Sequence, residues 1–306
     1  MGKYLKSLLI IFVLAFATFS SVLGTKVLSE ERITTDEKNQ INPAIYGDIV
    51  VWQDGIEGED NTDIYGYNLN TGQGFPICKE GGDQTDPAIY GDIVVWEDKR
   101  DNNWDIYGYN LKTGQEFPIC KEVGDQHSPA IYGDIVVWVN EGNEQWDIYG
   151  YNLKTGQGFQ ITDSGYAGYP AIYGDIVVWQ EGFPFGDIYG YNLKTGQGFQ
   201  ITDSGYAGYP AIYGDIVVWE DYRNDDESGN SDIYGYNLKT GQEFPICKEN
   251  RYQGSPAIYC DRVVWHDYRH GGGDIYIAYL DVVCETAKKS LPMDWIIKKF
   301  GLGKEK

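Results

Sequence analysis

Six times along the chain a short apolar run ending in tryptophan is followed, after a polar interval of variable length, by an alternating run of isoleucine and tyrosine. The apolar run is Ile-Val-Val-Trp at 49–52, 93–96, 135–138, 176–179 and 216–219, and Arg-Val-Val-Trp at 262–265. Four residues are short for a helix, and a strand that is apolar at consecutive positions has to be covered on both faces. The alternating run, Asp63-Ile-Tyr-Gly-Tyr67 in its first copy, puts Tyr65 and Tyr67 on one face and Ile64 and Gly66 on the other. The glycine is expected to leave room for the bulk of a neighbouring layer.

These runs belong to a repeat. Pro-Ala-Ile-Tyr begins at Pro43, Pro87, Pro129, Pro170, Pro210 and Pro256, at intervals of 44, 42, 41, 40 and 46 residues. Each unit then reads a Gly-Asp turn, the tryptophan strand, a variable loop, Asp-Ile-Tyr-Gly-Tyr-Asn-Leu, a Thr-Gly-Gln turn and a final Phe-Pro-Ile-Cys or Phe-Gln-Ile-Thr. Four short strands divided by turn signals, repeating at about 40 residues, predict an all-β protein: a six-bladed β-propeller of four-stranded antiparallel blades. The sixth unit ends after Leu280 without its last turn and strand. Residues 31–34 (Glu-Arg-Ile-Thr) resemble the outer strand Phe159-Gln-Ile-Thr162, so the N-terminal segment is expected to close the ring as the missing strand.

Composition restricts the function. There are 46 acidic and 24 basic residues, a net charge of -22, which repels phosphate backbones and argues against nucleic acid. Residues 1–24 read as a secretory signal: Lys3 and Lys6, an apolar run from Leu8 to Phe19, then small residues. A cleaved leader is expected, with a retained anchor as the alternative and no stable membrane insertion after cleavage. The propeller is then assigned to 25–285 and a C-terminal tail to 286–306, with an extracellular or cell-surface location.

The units resemble TolB-type, WD40-like propeller repeats, in the variant common in archaeal secreted and surface proteins. Asp147-Ile-Tyr-Gly-Tyr-Asn-Leu-Lys-Thr-Gly156 and Ile161-Thr162 carry the likeness, which spans about residues 31 to 281. It implies a propeller used for protein interaction and brings no catalytic residues. TolB's amino-terminal domain has no counterpart here, and Tyr-Gly-Asp stands where the family's Ser-Pro-Asp-Gly turn would be.

The copies can be compared with one another. Residues 147–179 and 187–219 are identical over 33 positions, and the Gly-Asp and Thr-Gly turns hardly change. The loops after each tryptophan (53–62, 97–104, 139–146, 180–186, 220–231 and 266–273) and those before each Pro-Ala-Ile-Tyr vary freely. In a meander both variable sets emerge at one rim, so that face is expected to carry recognition; free drift of exposed loops is the competing explanation. Its candidate binding residues are Trp104, Trp146, Phe183, Phe185, Tyr222 and His266.

The pairs Asp98/Arg100, Asp221/Arg223 and Asp267/Arg269 follow the tryptophan strand and are expected to tie strands together by reaching Asp105, Asp232 or Asp274. Acidic loops around Asp54–Asp60 and Asp225–Glu227 lack a calcium-loop pattern, and the three histidines form no regular metal set. No metal or cofactor is therefore expected. Cys78, Cys120 and Cys247 share an outer-strand position and read as small buried fillers, whereas Cys260 and Cys284 are candidates for a disulfide at the constant rim. The tail carries Trp295, Ile296, Ile297 and Phe300 among lysines and is expected to form a short helix against the propeller.

The chain lacks Gly-x-Ser-x-Gly, His-Glu-x-x-His and phosphate-loop motifs. A non-catalytic binding scaffold for a protein or cell-envelope partner is the leading expectation. A polysaccharide-acting hydrolase or lyase and a structural surface-layer component are the alternatives.

Overall fold

A computed structural model describes residues 39–55, 61–142, 145–224, 229–269 and 274–282. The chain divides into two compact units, 1–35 and 36–306. The first, with the expected leader and closing strand, lies outside the described residues, as does the tail 286–306.

Within the second unit the described elements are strands, arranged in six antiparallel sheets. Five sheets have four strands in sequence order, as in Asn39–Tyr46, Ile49–Gly55, Asp63–Asn68 and Gln73–Cys78 of blade 1. Blades 2 to 5 span 84–120, 125–160, 167–200 and 207–247. Blade 6 (253–279) has three described strands; its expected fourth, at 31–34, lies outside the described residues. The innermost strands of consecutive blades touch, giving a six-bladed propeller.

The tryptophan strands form the core by facing both ways. Val51, Ile64 and Ile77 of blade 1 pack against Val94, Trp96 and Tyr107 of blade 2. On the other face of blade 2, Val95, Ile106 and Ile119 meet Val136 and Trp138 of blade 3. The same division recurs at the following three junctions. Burial is worth about 1.5–3 kcal/mol for each large aliphatic side chain, so each of these five junctions is a separate hydrophobic core.

The Asp-x-Arg pairs follow a different route from the one expected. Arg100 turns back on Asp98 with two hydrogen bonds (2.8 and 2.6 Å) and continues to Glu116 on the outer strand (2.6 Å). Its guanidinium lies 4.0 Å above the Tyr107 ring, and Trp96 donates to the same Asp98 (2.8 Å). Arg223 repeats this with Asp221 and Glu243. The ties thus run across the sheet to the outer strand and bypass Asp105 and Asp232, because the arginine is long enough to cross the intervening tyrosine. The Asp274 side chain lies outside the described residues.

The cysteines at 78, 120 and 247 are buried free thiols. Cys78 also accepts from Arg100 of the next blade (3.2 Å), and burial pushes its pKa up to about 12. Cys260 is disulfide-bonded, while its expected partner Cys284 lies outside the described residues.

Backbone hydrogen bonds define two rims. In blades 1 and 2, Leu69 donates to Asp48 (2.9 Å) and Leu111 to Asp92 (2.8 Å), locking both constant turns of a blade together, and blades 3 to 6 repeat the bond. At the other rim Gln84 donates to Thr62, Gln126 to Trp104 and Gln253 to Ser231, joining variable loops of adjacent blades. Variation is therefore confined to one face.

The strand glycine serves its own blade, which corrects the expectation of an inter-blade role. A Cβ on Gly150 would lie 2.5 Å from the ring of Phe159, its cross-strand partner, and Gly66 meets Phe75 in the same way. Gly150→Ala is expected to lower stability by about 1–3 kcal/mol through overpacking. Gly158→Ala, whose Cβ would have ordinary contacts at 3.8 Å, serves as the control. Equal denaturation midpoints for the two variants would contradict this packing.

Candidate functional site

The variable face is organised around an axial mouth. Each inner strand slips register just before its proline, as between Thr85 and Ala88. The residue at the slip is left-handed in all six blades: Asn42, Asp86, Ser128, Tyr169, Tyr209 and Ser255, with φ between 48° and 53°. Non-glycine residues held there cost about 1–3 kcal/mol each, so the surroundings must enforce the bend. Glu97, 5% exposed, accepts the Ser128 backbone N–H (2.6 Å), and fully buried Glu220 accepts that of Ser255 (3.0 Å). The bend brings Asp86, Ser128, Tyr169, Tyr209 and Ser255 around one cavity of about 320 Å³. Asn42 joins them by donating to Asp86 (2.5 Å). A larger cavity of about 600 Å³ opens at the constant rim among repeated turn residues of blades 4 to 6. Close by, Tyr46, Tyr90, Tyr132, Tyr173, Tyr213 and Tyr259 pack in succession as tilted rings, with centroids 4.7, 4.7, 4.7, 4.6 and 5.0 Å apart.

One side of the variable mouth is acidic. Desolvation and the adjacent Glu97 carboxyl raise the Asp86 pKa to about 6. Behind them His127 Nδ1 lies 3.4 Å from Glu97 Oε2. Burial disfavours the charged imidazole, but Glu97, Asp125 and Glu141 outweigh it and hold the His127 pKa above its ordinary value. The other side is aromatic: Tyr169 and Tyr209 stack at 4.4 Å, and Tyr252 donates to Glu220 (3.1 Å), as Tyr222 also does.

The sequence-selected aromatics occupy the same face but are not gathered into one pocket. Trp104 is half-buried, 6.1 Å from the His127 ring, with Lys99 over its indole at 5.2 Å. Trp146 is also half-buried and meets Phe183 edge-on across the junction of blades 3 and 4 (5.5 Å). Phe185 packs on Tyr222 (4.1 Å), Tyr222 approaches Tyr252 (6.5 Å), and Tyr252 meets Tyr268 (5.7 Å). Phe183 is 65% exposed, as are Tyr166 (66%) and Tyr206 (52%), two residues missed in the sequence. A tyrosine preceding Pro-Ala-Ile-Tyr by four positions was the available signal. The His266 strand position is opposite Gly254; its side chain lies outside the described residues. Also missed were Asp86, Glu97, His127 and Glu220, which the propeller brings together from different repeats.

No family model matches the chain, and no curated protein matches it closely enough to count as a relative. Solved structures do. The β-propeller domain of the Trilobed protease from Pyrococcus furiosus, described as having an open velcro topology, aligns with a TM-score of 0.63 at 15% identity, over 79% of this chain and 82% of that one. The putative TolB from Agrobacterium tumefaciens aligns at 0.52 and 16%, over 82% and 93%. The acylaminoacyl peptidase from Pyrococcus horikoshii aligns at 0.61 and 14%, over 79% of this chain but 44% of that one. The fold is a β-propeller. Likenesses at these identities establish the architecture and leave the function to the site itself.

Asp86 gives this site a pH signature. Its raised pKa means that the folded chain retains a proton that the unfolded chain has lost, so the contribution is present below about pH 4 and lost as pH rises through about 6. Much of Asp86 is open to the mouth, so solvent screens the effect. Relative to wild type, Asp86→Asn is expected to gain stability progressively across that interval in denaturation curves. A constant offset from pH 4 to 7 would contradict the assignment.

Proposed function

We propose that this protein is a secreted or cell-surface, non-catalytic binding scaffold that recognises a protein partner through its variable loop face. The observation that carries the reading is the aromatic belt running over blades 3 to 6, from Trp146 and Phe183 through Phe185 and Tyr222 to Tyr252 and Tyr268. The blades are already held by separate cores beneath it. Aromatic anchors dominate interface energetics, and the acidic mouth beside the belt suits a basic partner segment. The net charge of -22 would steer such a partner over longer range.

Export rests on the leader-like pattern of residues 1–24, supported by a disulfide at Cys260, which suits an oxidising compartment. In this reading the chain belongs with the TolB-type repeat proteins of the secreted and surface variety. A polysaccharide hydrolase would place its carboxyls roughly 5–9.5 Å apart. Asp86 and Glu97 instead adjoin directly, and Glu97 already holds the Ser128 backbone N–H, a geometry suited to holding the mouth.

The test is capture of envelope proteins by the full chain, followed by affinity measurement on each captured species. Phe183→Ala and Trp146→Ala are each expected to weaken binding about tenfold or more, as for interface anchors costing about 1.4 kcal/mol or more. Lys154→Ala at the constant rim is expected to leave it unchanged. Binding lost through the constant-rim variant and retained by the other two would reverse the face assignment.

A further inference from the structure

Blade 3 carries a constellation on the variable face that no other blade shares. Its first strand (Asp125–Tyr132) pairs with its second (Ile135–Gly142) so that Glu141 is opposite Asp125 and Val139 opposite His127. Residues two apart on a strand point the same way, so Asp125 and His127 share a face with Glu141. The corresponding triplets are Asp83, Thr85 and Lys99 in blade 2, and Tyr166, Gly168 and Gly182 in blade 4. One donor atom from each of Asp125, His127 and Glu141 lies within 4.8 Å of the others.

We propose that Asp125, His127 and Glu141 form a binding site for a divalent transition-metal ion, zinc above all, whose open coordination position faces the recognition rim. The imidazole orientation is the argument beyond clustering. His127 Nδ1 faces the buried Glu97 carboxylate at 3.4 Å, an acceptor that places the ring proton on that nitrogen. Nε2 is left with its lone pair toward Glu141, whose Oε2 is 3.8 Å away. That separation is too long for a hydrogen bond; two donors each about 2.0–2.2 Å from a tetrahedral zinc stand roughly 3.3–3.6 Å apart, so closing on an ion takes only a few tenths of an ångström of side-chain movement. A carboxylate behind a ligating histidine is the usual second-shell device for fixing tautomer and ring direction.

Charge supports the same conclusion. Among the described residues no lysine or arginine pairs with Asp86, Glu97, Asp125 or Glu141, whereas Asp98, Glu116, Asp221 and Glu243 are each matched by an arginine. Asp125 spends one oxygen on the Trp104 backbone N–H (2.9 Å), which fixes the carboxylate in place. Histidine with two carboxylates is a borderline donor set, better matched to zinc than to calcium, which wants six or more oxygens. This proposal is independent of the partner reading above.

The test is calorimetric titration of the full chain with Zn²⁺ in excess Mg²⁺, which occupies the acidic surface nonspecifically. One equivalent is expected in wild type. His127→Gln and Glu141→Gln should each lose tenfold or more in affinity, and Glu97→Gln should weaken binding roughly 10- to 100-fold as an orienting residue. Denaturation midpoints in chelator check that the variants fold. Imidazole ¹⁵N shifts of wild type give a readout without substitution: Zn²⁺ should move His127 and leave His266 and His270 in place. Uptake by His127→Gln equal to wild type, or an unmoved His127 resonance at saturation, would overturn the assignment.

Discussion

Everything in this molecule depends on a strand that is apolar on both faces. Val51 looks one way and Val50 the other, and the same holds for each successive Val-Val pair, so every sheet must be sandwiched by its neighbours. A blade alone would expose one of its two apolar faces. Stacking around an axis covers them; in blades 2 to 6 the tryptophan closing the run reaches the previous blade, and its indole N–H finds a carboxylate in four of the six copies. The arginine ties, the thiol contacts and the glycine–phenylalanine pairs all operate inside that arrangement.

The division of labour between the rims has the same origin. The constant turns are joined to each other by a backbone hydrogen bond repeated in every blade, which leaves them little freedom to vary. The variable loops are fastened by their ends, so their tips can change without disturbing the ladder. Strain is placed on this side too: six left-handed residues bend the inner strands, and two buried glutamates hold the bends of blades 3 and 6. Strained backbone beside buried carboxylates and stacked tyrosines is a pre-organised surface, and its aromatic sector is separate from the acidic sector that holds His127.

The comparison of sequence with structure is instructive at particular residues. Ile-Val-Val-Trp and the 40-residue period were enough for blades and strand order, because the information is local and repeated six times. Phe183, Phe185 and Tyr222 were legible as members of the variable face. Their contacts were not, since Phe185 meets Tyr222 only through the stacking of blades 4 and 5. The Arg100 and Arg223 ties were read with the right residues and the wrong partners, because side-chain reach across a tyrosine is invisible in strand alternation. His127 was set aside because the three histidines make no regular ligand set, and Glu97, 30 residues away, meets it only through blade stacking.

What the sequence by itself determined is the repeat, the strand chemistry, the two rims and the acidity, all set by composition and short-range period. The tertiary structure decided which residues meet. Antiparallel register set Glu141 opposite Asp125, blade stacking brought Glu97 behind His127, and the bulge before each proline turned six equivalent residues toward one axis. The physical reason is that periodicity specifies which face a side chain takes, whereas neighbours across blades are chosen by packing between segments separated by 21 to 44 residues.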